Sequence, residues 1–337
     1  MLRTILRRAV DNQASDVHLT PGCPPVFRVD GGLVYEEGSA LTAEDLAVFW
    51  QEIAQASQQE EYQQQGQCDF SCTLGGVGRF RIHAFRQQGQ LALALRIIQD
   101  RILTLAEMAY PDIVARMSRL RRGLVLVTGP SGSGKSTTLA AMVEQINRER
   151  NCHIITLEDP VEFLHRHRRA VIHQREIPGD AASFAAGLRG ALRQDPDVIM
   201  VGEMRDRDTT AIALTAAETG HLVLSTLHTA SAGGAVERMV DQFPADQQQQ
   251  IRVQLAGVLQ GVIAQQLIPR NGGGQVAALE ILIATPAVRN LIREGNTHQL
   301  LSMIQTGSKF GMTTMDDALE ALCRQQSIRR EDVVSYS

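Results

Sequence analysis

The sequence has few aromatic residues, no long apolar stretch and no excess of charge of either sign. Aromatic residues make up 4% of the 337 residues, with a single tryptophan, which argues against a stacking platform for single-stranded nucleic acid. The longest apolar runs have five residues, whereas a membrane-spanning helix needs about 20. A net charge of −4 gives no general attraction for nucleic acid or anionic lipid. We therefore expect a cytoplasmic protein without a membrane span.

Cysteine is also scarce. The five cysteines form no repeated CxxC pattern, and Cys68 and Cys72 are the only close pair. No second pair and no nearby histidine completes a zinc set. Residues 1–10 have charges inside their apolar pattern and no small-residue cleavage site, so they do not resemble a signal peptide. Reduced thiols in an intracellular protein fit these observations.

The first 98 residues predict an α+β domain with a mostly antiparallel sheet. Predicted helices lie at residues 2–10, which place apolar side chains on one face, and from the N-cap Thr42 to about Ser57. Predicted strands lie at residues 26–29, 33–35, 69–73, 79–85 and 91–98. Asp30-Gly31-Gly32 predicts a tight turn between the first two strands. A glutamine-rich surface stretch precedes the third strand, and residues 99–116 are interpreted as a linker.

From Gly123 the pattern changes to short apolar runs separated by segments of helical length. The apolar runs lie at residues 124–127, 154–157, 198–201 and 222–225. Buried parallel strands that alternate with helices predict an α/β domain over residues 117–284.

Residues 285–337 predict a helical C-terminal part. Thr285 followed by Pro286, and Thr314 followed three residues later by Asp317, are N-terminal helix signals. In the first of these helices one face is apolar and the arginines lie elsewhere: Val288, Leu291 and Ile292 against Arg289 and Arg293. Packing of the apolar face against the domain and contact of this helix with a partner both remain open.

The segment GPSGSGKST at residues 129–137 matches the phosphate-binding pattern G-x-x-x-x-G-K-[ST]. It follows a predicted strand and opens a predicted helix, which is the context that the pattern requires. The residues expected to surround the phosphates are Ser131, Gly132, Ser133, Gly134, Lys135, Ser136 and Thr137. Lys135 is expected to reach the β- and γ-phosphates, and Ser136 to supply a Mg²⁺ ligand. The sequence therefore predicts binding of a nucleoside triphosphate with Mg²⁺.

Acidic residues follow two of the later predicted strands. The segment EDPVE at residues 158–162 comes after the second strand, and Gly202-Glu203 follows the third, with glycine where a Walker B aspartate is usual. Open α/β sheets bind ligands at the carboxyl ends of their strands. Hydrolysis needs one carboxylate to help hold Mg²⁺ and another to orient or deprotonate water. These segments favour hydrolysis over binding alone.

Two pairs of histidines are less decisive. His221 and His228 bracket the fourth strand and are roughly 23 Å apart if fully extended, so they cannot share one metal. Sensing of the γ-phosphate and simple burial in the core both remain open for them. His165 and His167 lie in an arginine-rich run, which we interpret as part of the surface.

Together these segments resemble the secretion ATPases of type II secretion and type IV pili. The motifs GPSGSGKSTT, LEDPVEF, LRQDPDVIMVGEMRD and TAAETGHLVLSTLHT (residues 129–138, 157–163, 192–206 and 215–229) resemble that family's Walker A, Asp box, atypical Walker B and His box. The segments ASDVHL, PPVFRVD, AVRNLIRE and MIQTG (14–19, 24–30, 287–294 and 303–307) are similar to the start and the C-terminal segment of its pilus-retraction members. Extension and type II members usually carry a four-cysteine zinc motif and an extra N-terminal domain, and neither is expected here.

The resemblance implies a particular architecture and activity. It implies a PAS-like N-terminal domain (1–98), a linker (99–116), a RecA-like ATPase core (117–284) and a helical C-terminal part (285–337). It implies a homohexameric ring that hydrolyses ATP and powers pilus retraction and twitching motility. The ring is expected to dock on an inner-membrane platform protein, so the chain would be peripheral at that membrane without inserting into it, and nucleic acid is not an expected partner.

The resemblance also implies roles for individual residues. It makes Glu162 the catalytic base, gives Glu203 to Mg²⁺ and water, and puts His221 and His228 near the γ-phosphate. Family members use arginines of the N-terminal domain to reach the nucleotide. The candidates here lie in that domain's second half: Arg79, Arg81 and Arg96.

Three alternatives stay open on the sequence. A pilus-extension or type II secretion ATPase would carry the same catalytic motifs. A DNA translocase of RecA type would share the nucleotide site, although the balanced charge and scarce aromatics disfavour it. A nucleotide-gated scaffold that does not hydrolyse ATP would keep the phosphate-binding loop.

Overall fold

The computed structural model describes residues 1–29, 31–98 and 101–336. The chain divides into two compact units, Met1–Arg101 with Glu162–Leu164, and Ile102–Val161 with His165–Ser337. Each unit has an apolar core of its own. Asp30 of the predicted turn and residues 99–100 of the predicted linker lie outside the described residues.

The first unit is built on a six-stranded antiparallel sheet with the order β3-β2-β1-β6-β5-β4. Its helices are α1 (Leu2–Asp11), α2 (Ala43–Ile53) and α3 (Ala56–Gln65). Its strands are β1 (Asp16–Leu19), β2 (Val26–Val29), β3 (Gly32–Tyr35), β4 (Gln67–Leu74), β5 (Gly78–Gln87) and β6 (Gln90–Ile98). The predicted antiparallel sheet is confirmed, and it has one strand, β1, that the sequence analysis did not predict.

Alternation along β5 decides which side chains enter the core of the first unit. Phe80 and Ile82 are fully buried, whereas Arg79 and Arg81 lie on the other face of the sheet. Successive residues of a strand point to opposite faces. The pattern that builds the core therefore places the arginines on the opposite face.

The predicted end of the second helix is wrong. The capping box of Thr42 and Asp45 starts α2 as expected, but the helix ends at Ile53. The glutamine-rich stretch then forms α3, which has no buried residue and ends at Gly66 in the left-handed conformation. Glutamine and glutamate have good intrinsic helix propensity, so α3 forms without the apolar periodicity on which the prediction relied.

The second unit contains a seven-stranded mixed sheet with the order β13-β12-β7-β11-β10-β8-β9. Its strands are β7 (Gly123–Thr128), β8 (His153–Glu158), β9 (Val171–Glu176), β10 (Val198–Val201), β11 (Leu222–Leu227), β12 (Leu259–Pro269) and β13 (Gln275–Ile283). Its helices are α4 (Asp112–Ser118), α5 (Lys135–Glu149), α6 (Phe184–Ala191), α7 (Arg207–Glu218), α8 (Ala232–Asp241), α9 (Ala245–Val258), α10 (Pro286–Glu294), α11 (Leu300–Gln305), α12 (Met315–Arg324) and α13 (Arg330–Tyr336), with 3₁₀ turns at Thr297–Gln299 and Ser308–Phe310.

The four predicted parallel strands are confirmed as β7, β8, β10 and β11, which are neighbours in the sheet. Each is buried along most of its length. The remaining strands were not predicted: β9 extends the sheet at one edge, and β12 and β13 extend it at the other, β13 being antiparallel. Among the described residues, no helix combines the length and apolar character needed to cross a membrane.

Helix α10 begins as its sequence predicts, with Thr285 as N-cap and proline in the first turn. Val288 and Ile292 are fully buried, and Leu291 packs against the same cluster. Arg289 lies away from this apolar face, as expected, and is partly buried. Its guanidinium donates to the carbonyls of Ala284, Ala256 and Gly257 at 2.6–2.9 Å.

These contacts give Arg289 a structural task. Two of its acceptors belong to the last turn of α9, where helix carbonyls lack partners within the helix. Partial burial lowers the pKa of Arg289 from its ordinary value, but an arginine remains charged in proteins. Arg289 therefore joins the N-terminal half of α10 to the C-terminus of α9.

We expect Arg289→Met to lower the free energy of unfolding by about 1–3 kcal/mol, because it removes a charged donor from three backbone carbonyls, two of which belong to buried residues. Denaturant titration measures this change. Arg293→Met is the matched control, since Arg293 is exposed on the same helix and its side chain hydrogen-bonds, among the described residues, only to Asn290. Equal stability of the two variants would contradict the capping role.

Candidate active site

Four adjacent parallel strands of the second unit's sheet have their carboxyl ends side by side, and this row of strand ends is the edge of the sheet that carries the site. In register, Thr128 of β7 lies beside Leu227 of β11, Ser225 beside Val201 of β10, and Val201 beside Leu157 of β8. The chain segments that follow these ends are the phosphate-binding loop, the residue His228, the pair Gly202-Glu203 and the segment from Glu158. The sheet thus brings together four segments that are far apart in the sequence.

The phosphate-binding loop requires glycine for two physical reasons. Gly129 and Gly134 have φ angles of 152° and 85°, which other residues rarely adopt. In addition, a Cβ on Gly129 would lie 2.3 Å from the backbone oxygen of Gln265, and one on Gly134 would lie 2.8 Å from that glutamine's Nε2. The loop therefore packs directly on β12.

Lys135 and Ser133 shape the interior of the loop. The Lys135 ammonium is largely buried and donates to the carbonyls of Gly129 at 3.0 Å and Pro130 at 2.8 Å. The Ser133 hydroxyl is buried and has no hydrogen-bond partner among the residues that the structure describes. Helix α5 begins at Lys135, so the unpaired N–H groups and positive dipole of its first turn, including Ser136 and Thr137, meet the loop. This combination of donors fits a chain of phosphates.

Gln265 on β12 holds the phosphate-binding loop through side-chain hydrogen bonds, a fastening role that no sequence motif indicated. Its side chain is 1% exposed. Its amide nitrogen donates to the Ser133 carbonyl at 2.6 Å, and its amide oxygen accepts from the Thr138 hydroxyl at 2.7 Å. The Tyr110 hydroxyl lies 3.0 Å from the same threonine oxygen. Burial raises the pKa of Tyr110 to about 12, against the opposing effect of these hydrogen bonds.

A threonine pair ties the end of β7 to the end of β11. The Thr229 backbone N–H donates to the Thr128 hydroxyl at 2.9 Å, and that hydroxyl lies 2.7 Å from the Thr229 carbonyl. Thr229 directly follows His228. The start of the phosphate-binding loop and the position of His228 are therefore fixed by the same contact.

Glu203 lies at the end of β10, where the sequence has glycine in place of the usual aspartate. A Cβ on Gly202 would come within 3.2 Å of the Leu157 carbonyl, so the close approach to β8 favours glycine. The Glu203 carboxylate accepts from Arg205 at 2.7 Å and lies 3.4 Å from His228 Nε2. The structure thus brings Glu203 and His228 together at the edge that carries the loop.

His221 lies at the opposite end of β11 from His228, so the two histidines are not neighbours within one chain. The expectation that His221 lies near the γ-phosphate stays a prediction. His221 precedes β11, and its ring contacts the Ala216 carbonyl at 2.8 Å and the Thr219 hydroxyl at 3.2 Å. The six residues of β11 lie between the two histidines, which places them roughly 23 Å apart for an extended strand. In this chain His221 links the end of α7 to the start of β11.

The two glutamates of the acidic segment that begins at the last residue of β8 have different environments. Glu158 is buried and accepts from the Thr156 hydroxyl at 2.6 Å and the Gln174 amide at 3.1 Å. Glu162 is exposed, and the stretch Glu162–Leu164 groups with the first unit. Of the two carboxylates, Glu162 is the one with access to solvent.

The candidate arginines of the first unit differ in their partners. Arg79 donates to the hydroxyls of Ser71 and Thr73, and Arg96 pairs with Asp16 at 3.0 Å. Arg81 is exposed, and its side chain makes no hydrogen bond or ion pair with any residue that the structure describes. In the sheet Arg81 lies directly beside Arg96.

The arginine-rich run after β8 is not simply a surface, as the sequence suggested. His167 is exposed as expected, but the His165 side chain is 1% exposed and faces the carboxylate of Glu144 on α5. The prediction is wrong for His165 because a buried carboxylate draws in donors that would otherwise stay in water.

The chain is similar to known proteins in both sequence and structure. The profile of the family described as "Type II/IV secretion system protein" matches residues 1–273. The chain is 47% identical over 319 residues to the "Type IV pilus retractation ATPase PilT" of Pseudomonas aeruginosa, covering 95% of this chain and 93% of that protein. It is 47% identical over 310 residues to a "Twitching motility protein" of Neisseria gonorrhoeae, covering 92% and 83%. A solved structure of "the Pilus Retraction Motor PilT and Bound ADP" superposes with a TM-score of 0.94 at 44% identity, covering 100% of this chain and 96% of the other.

We expect Gln265→Leu to weaken nucleotide binding and to lower the free energy of unfolding by about 1–3 kcal/mol, because the buried Ser133 carbonyl loses its donor. Nucleotide titration and denaturant unfolding measure the two effects. Gln266→Leu is the control, because the neighbouring side chain lies on the other face of the strand. Unchanged nucleotide affinity in Gln265→Leu would contradict the fastening role.

Proposed function

The chain belongs to the type II/IV secretion system protein family, and we propose that it is a Mg²⁺-dependent ATPase that powers the retraction of a type IV pilus. The observation that carries the proposal is the convergence of the phosphate-binding loop, Glu203 and His228 at one edge of the sheet. Two close relatives whose names refer to pilus retraction and twitching motility support the pilus assignment.

In the proposed mechanism the loop binds the phosphates before any chemistry occurs. The N–H groups of residues 131–137 and the Lys135 ammonium neutralise the phosphate oxygens, at a helix N-terminus that favours negative charge. The buried Ser133 hydroxyl, unpartnered among the described residues, and the glycine cradle fit such a ligand. When bound between Ser136 and Glu203, Mg²⁺ would supply charge neutralisation at the transferring phosphoryl group.

Glu162 is the proposed base that orients and deprotonates the attacking water, and His228 the residue that responds to the γ-phosphate through Glu203. An exposed carboxylate that follows β8 by four residues can receive a proton from water and release it to solvent. His228 already lies within 3.4 Å of Glu203, so a change at either residue reaches the other.

The proposed assembly is a homohexameric ring in which arginines of one subunit complete the site of its neighbour. Arg81 and Arg96 are cross-strand neighbours, and like charges in such a pair cost about 0.2–1 kcal/mol. Asp16 compensates Arg96, whereas Arg81 remains available to an anion from outside the chain. We therefore place Arg81 first among the candidates, with Arg96 and Arg79 after it.

The finer architecture belongs to the same proposal. The first unit is the PAS-like domain and the second the RecA-like core with its helical C-terminal part, with the boundaries expected near residues 98, 116 and 284. The ring would work in the cytoplasm and dock on an inner-membrane platform protein of the pilus machine. Force would come from motions between subunits during the ATP cycle.

Glu162→Gln and Lys135→Ala separate chemistry from binding. We expect Glu162→Gln to bind ATP normally and to lose about 10²–10⁴-fold in turnover, because general-base catalysis contributes that much. Lys135→Ala is expected to lose affinity and turnover together. Nucleotide titration and phosphate-release assays measure both. Glu218→Gln is a control at the end of α7, where the Glu218 carboxylate accepts a hydrogen bond from Gln254.

Turnover at the wild-type rate in Glu162→Gln would contradict the base assignment, and turnover in Lys135→Ala would contradict the whole site. In cells, deletion of the gene tests the direction of the motor. We expect cells that keep their pili but lose twitching motility. Cells without pili would indicate an extension motor instead.

Mixed rings test the role of Arg81 in a neighbouring site. Arg81→Ala and Lys135→Ala subunits, each inactive alone, are expected to regain ATPase activity when assembled together, since about one quarter of the interfaces would combine intact residues from both. Arg86→Ala is the control on the same strand, where Arg86 lies over the Tyr62 ring, and should keep full turnover. If the mixed rings are no more active than rings made of either variant alone, Arg81 does not act across the interface.

A further inference from the structure

The segment between β8 and β9 is held on the phosphate-binding helix by one buried carboxylate. Glu144 of α5 has a side-chain exposure of 7%. Its Oε1 accepts from Arg148 and Arg168, each at 2.8 Å, and its Oε2 accepts from Asn147 at 3.1 Å and faces His165 Nδ1 at 3.5 Å. Both carboxylate oxygens are thus fully used.

The neighbouring Asn147 adds a second attachment. It is fully buried. Its amide nitrogen donates to the Arg166 carbonyl at 2.8 Å, and its amide oxygen accepts from the Arg168 backbone at 3.1 Å. Its own backbone carbonyl accepts from Arg169 and Ala170. Residues 165–170 are therefore attached to α5 along most of their length.

Strand β9 holds the chain on both sides of Glu162. The Val161 N–H donates to the Glu176 carboxylate at 3.1 Å, and the His165 N–H donates to the Gln174 side chain at 2.8 Å. Val161 and His165 immediately bracket the stretch Glu162–Leu164. Both ends of that stretch are consequently held by the second unit.

The electrostatics favour a permanently charged attachment. Burial alone would raise the pKa of Glu144, but hydrogen bonds from His165, Arg148 and Asn147 and the charge of Arg168 outweigh it and lower the pKa to about 2. An ionised buried carboxylate with four donors is far more directional than an apolar contact. A neutral amide at this position would present N–H groups to donors and break the arrangement.

We infer that Glu144 and Asn147 are positioning residues, which let the phosphate-binding helix set the position of the segment that carries Glu162. The inference rests on the proposed role of Glu162 as base. Lys135 begins α5 and Glu144 lies nine residues further on, about 13 Å along the axis. A rigid helix thus carries the phosphate-binding lysine at its start and the anchor of the catalytic segment in its middle.

The decisive experiment is a double-mutant cycle on turnover in the full-length protein. We expect Glu144→Gln to lower kcat about tenfold or more, since small misplacement of a catalytic group costs up to about 100-fold, with ATP affinity little changed. In a Glu162→Gln background the same substitution should cause no further loss. Glu149→Gln is the matched control. Glu149 lies on the same helix as Glu144 and also pairs with an arginine, Arg119, but it does not contact the segment between β8 and β9.

Three results would overturn the inference. The first is an unchanged kcat in Glu144→Gln, the second an equal loss of turnover in both backgrounds, and the third a matching loss in Glu149→Gln. Glu162→Gln alone tests the base assignment separately: if it turns over normally, the proposed function fails, whatever the effect of Glu144→Gln.

A milder variant and a second measurement guard against misfolding. Arg168→Ala removes a half-exposed donor from the segment side and leaves Arg148 on Glu144. We expect a smaller loss of kcat and faster amide hydrogen exchange in residues 165–170, in the absence of nucleotide. Unchanged exchange there in both Glu144→Gln and Arg168→Ala would overturn the attachment.

Discussion

The parallel alignment of β7, β11, β10 and β8 is the constraint on which the rest of the site depends. Strands that run in the same direction end at the same edge, so residues that follow them meet regardless of their distance in the sequence. The in-register pairs Thr128–Leu227 and Val201–Leu157 fix these ends to one level. Glu203 and His228 consequently contact each other, whereas His221, at the start of the same strand as His228, is not their neighbour within the chain.

The part of the site that could be predicted consists of features written locally in the sequence. The loop at residues 129–137 is recognisable because backbone approach to phosphate requires glycine at fixed spacing, and the flanking strand and helix have their own periodicities. The buried strands are continuous apolar runs. Once the strands are known to be parallel, the meeting of Glu203 with the loop follows from topology alone.

The part that could not be predicted depends on partners that are remote in the sequence. Gln265 has no distinctive neighbours, and its importance arises from the Ser133 carbonyl, 132 residues away. His165 stands in an arginine-rich run that indicates a surface, yet Glu144 draws it into the interior. The strands β9 and β12 likewise form because the backbone N–H and C=O groups of neighbouring strands need hydrogen-bond partners. The periodicity of their own sequence does not show this.

Helix α5 brings these separate features into one mechanical element. It is buried along most of its length, and densely packed interiors transmit displacement because they have little free volume to absorb it. Its first turn meets the phosphates, Thr138 rests on Gln265, and Glu144 with Asn147 holds the segment after β8. A displacement at the phosphate end must therefore either move the whole helix or break buried hydrogen bonds. Because breaking them leaves charged groups unpaired in the interior, movement of the helix as one body is the less costly response.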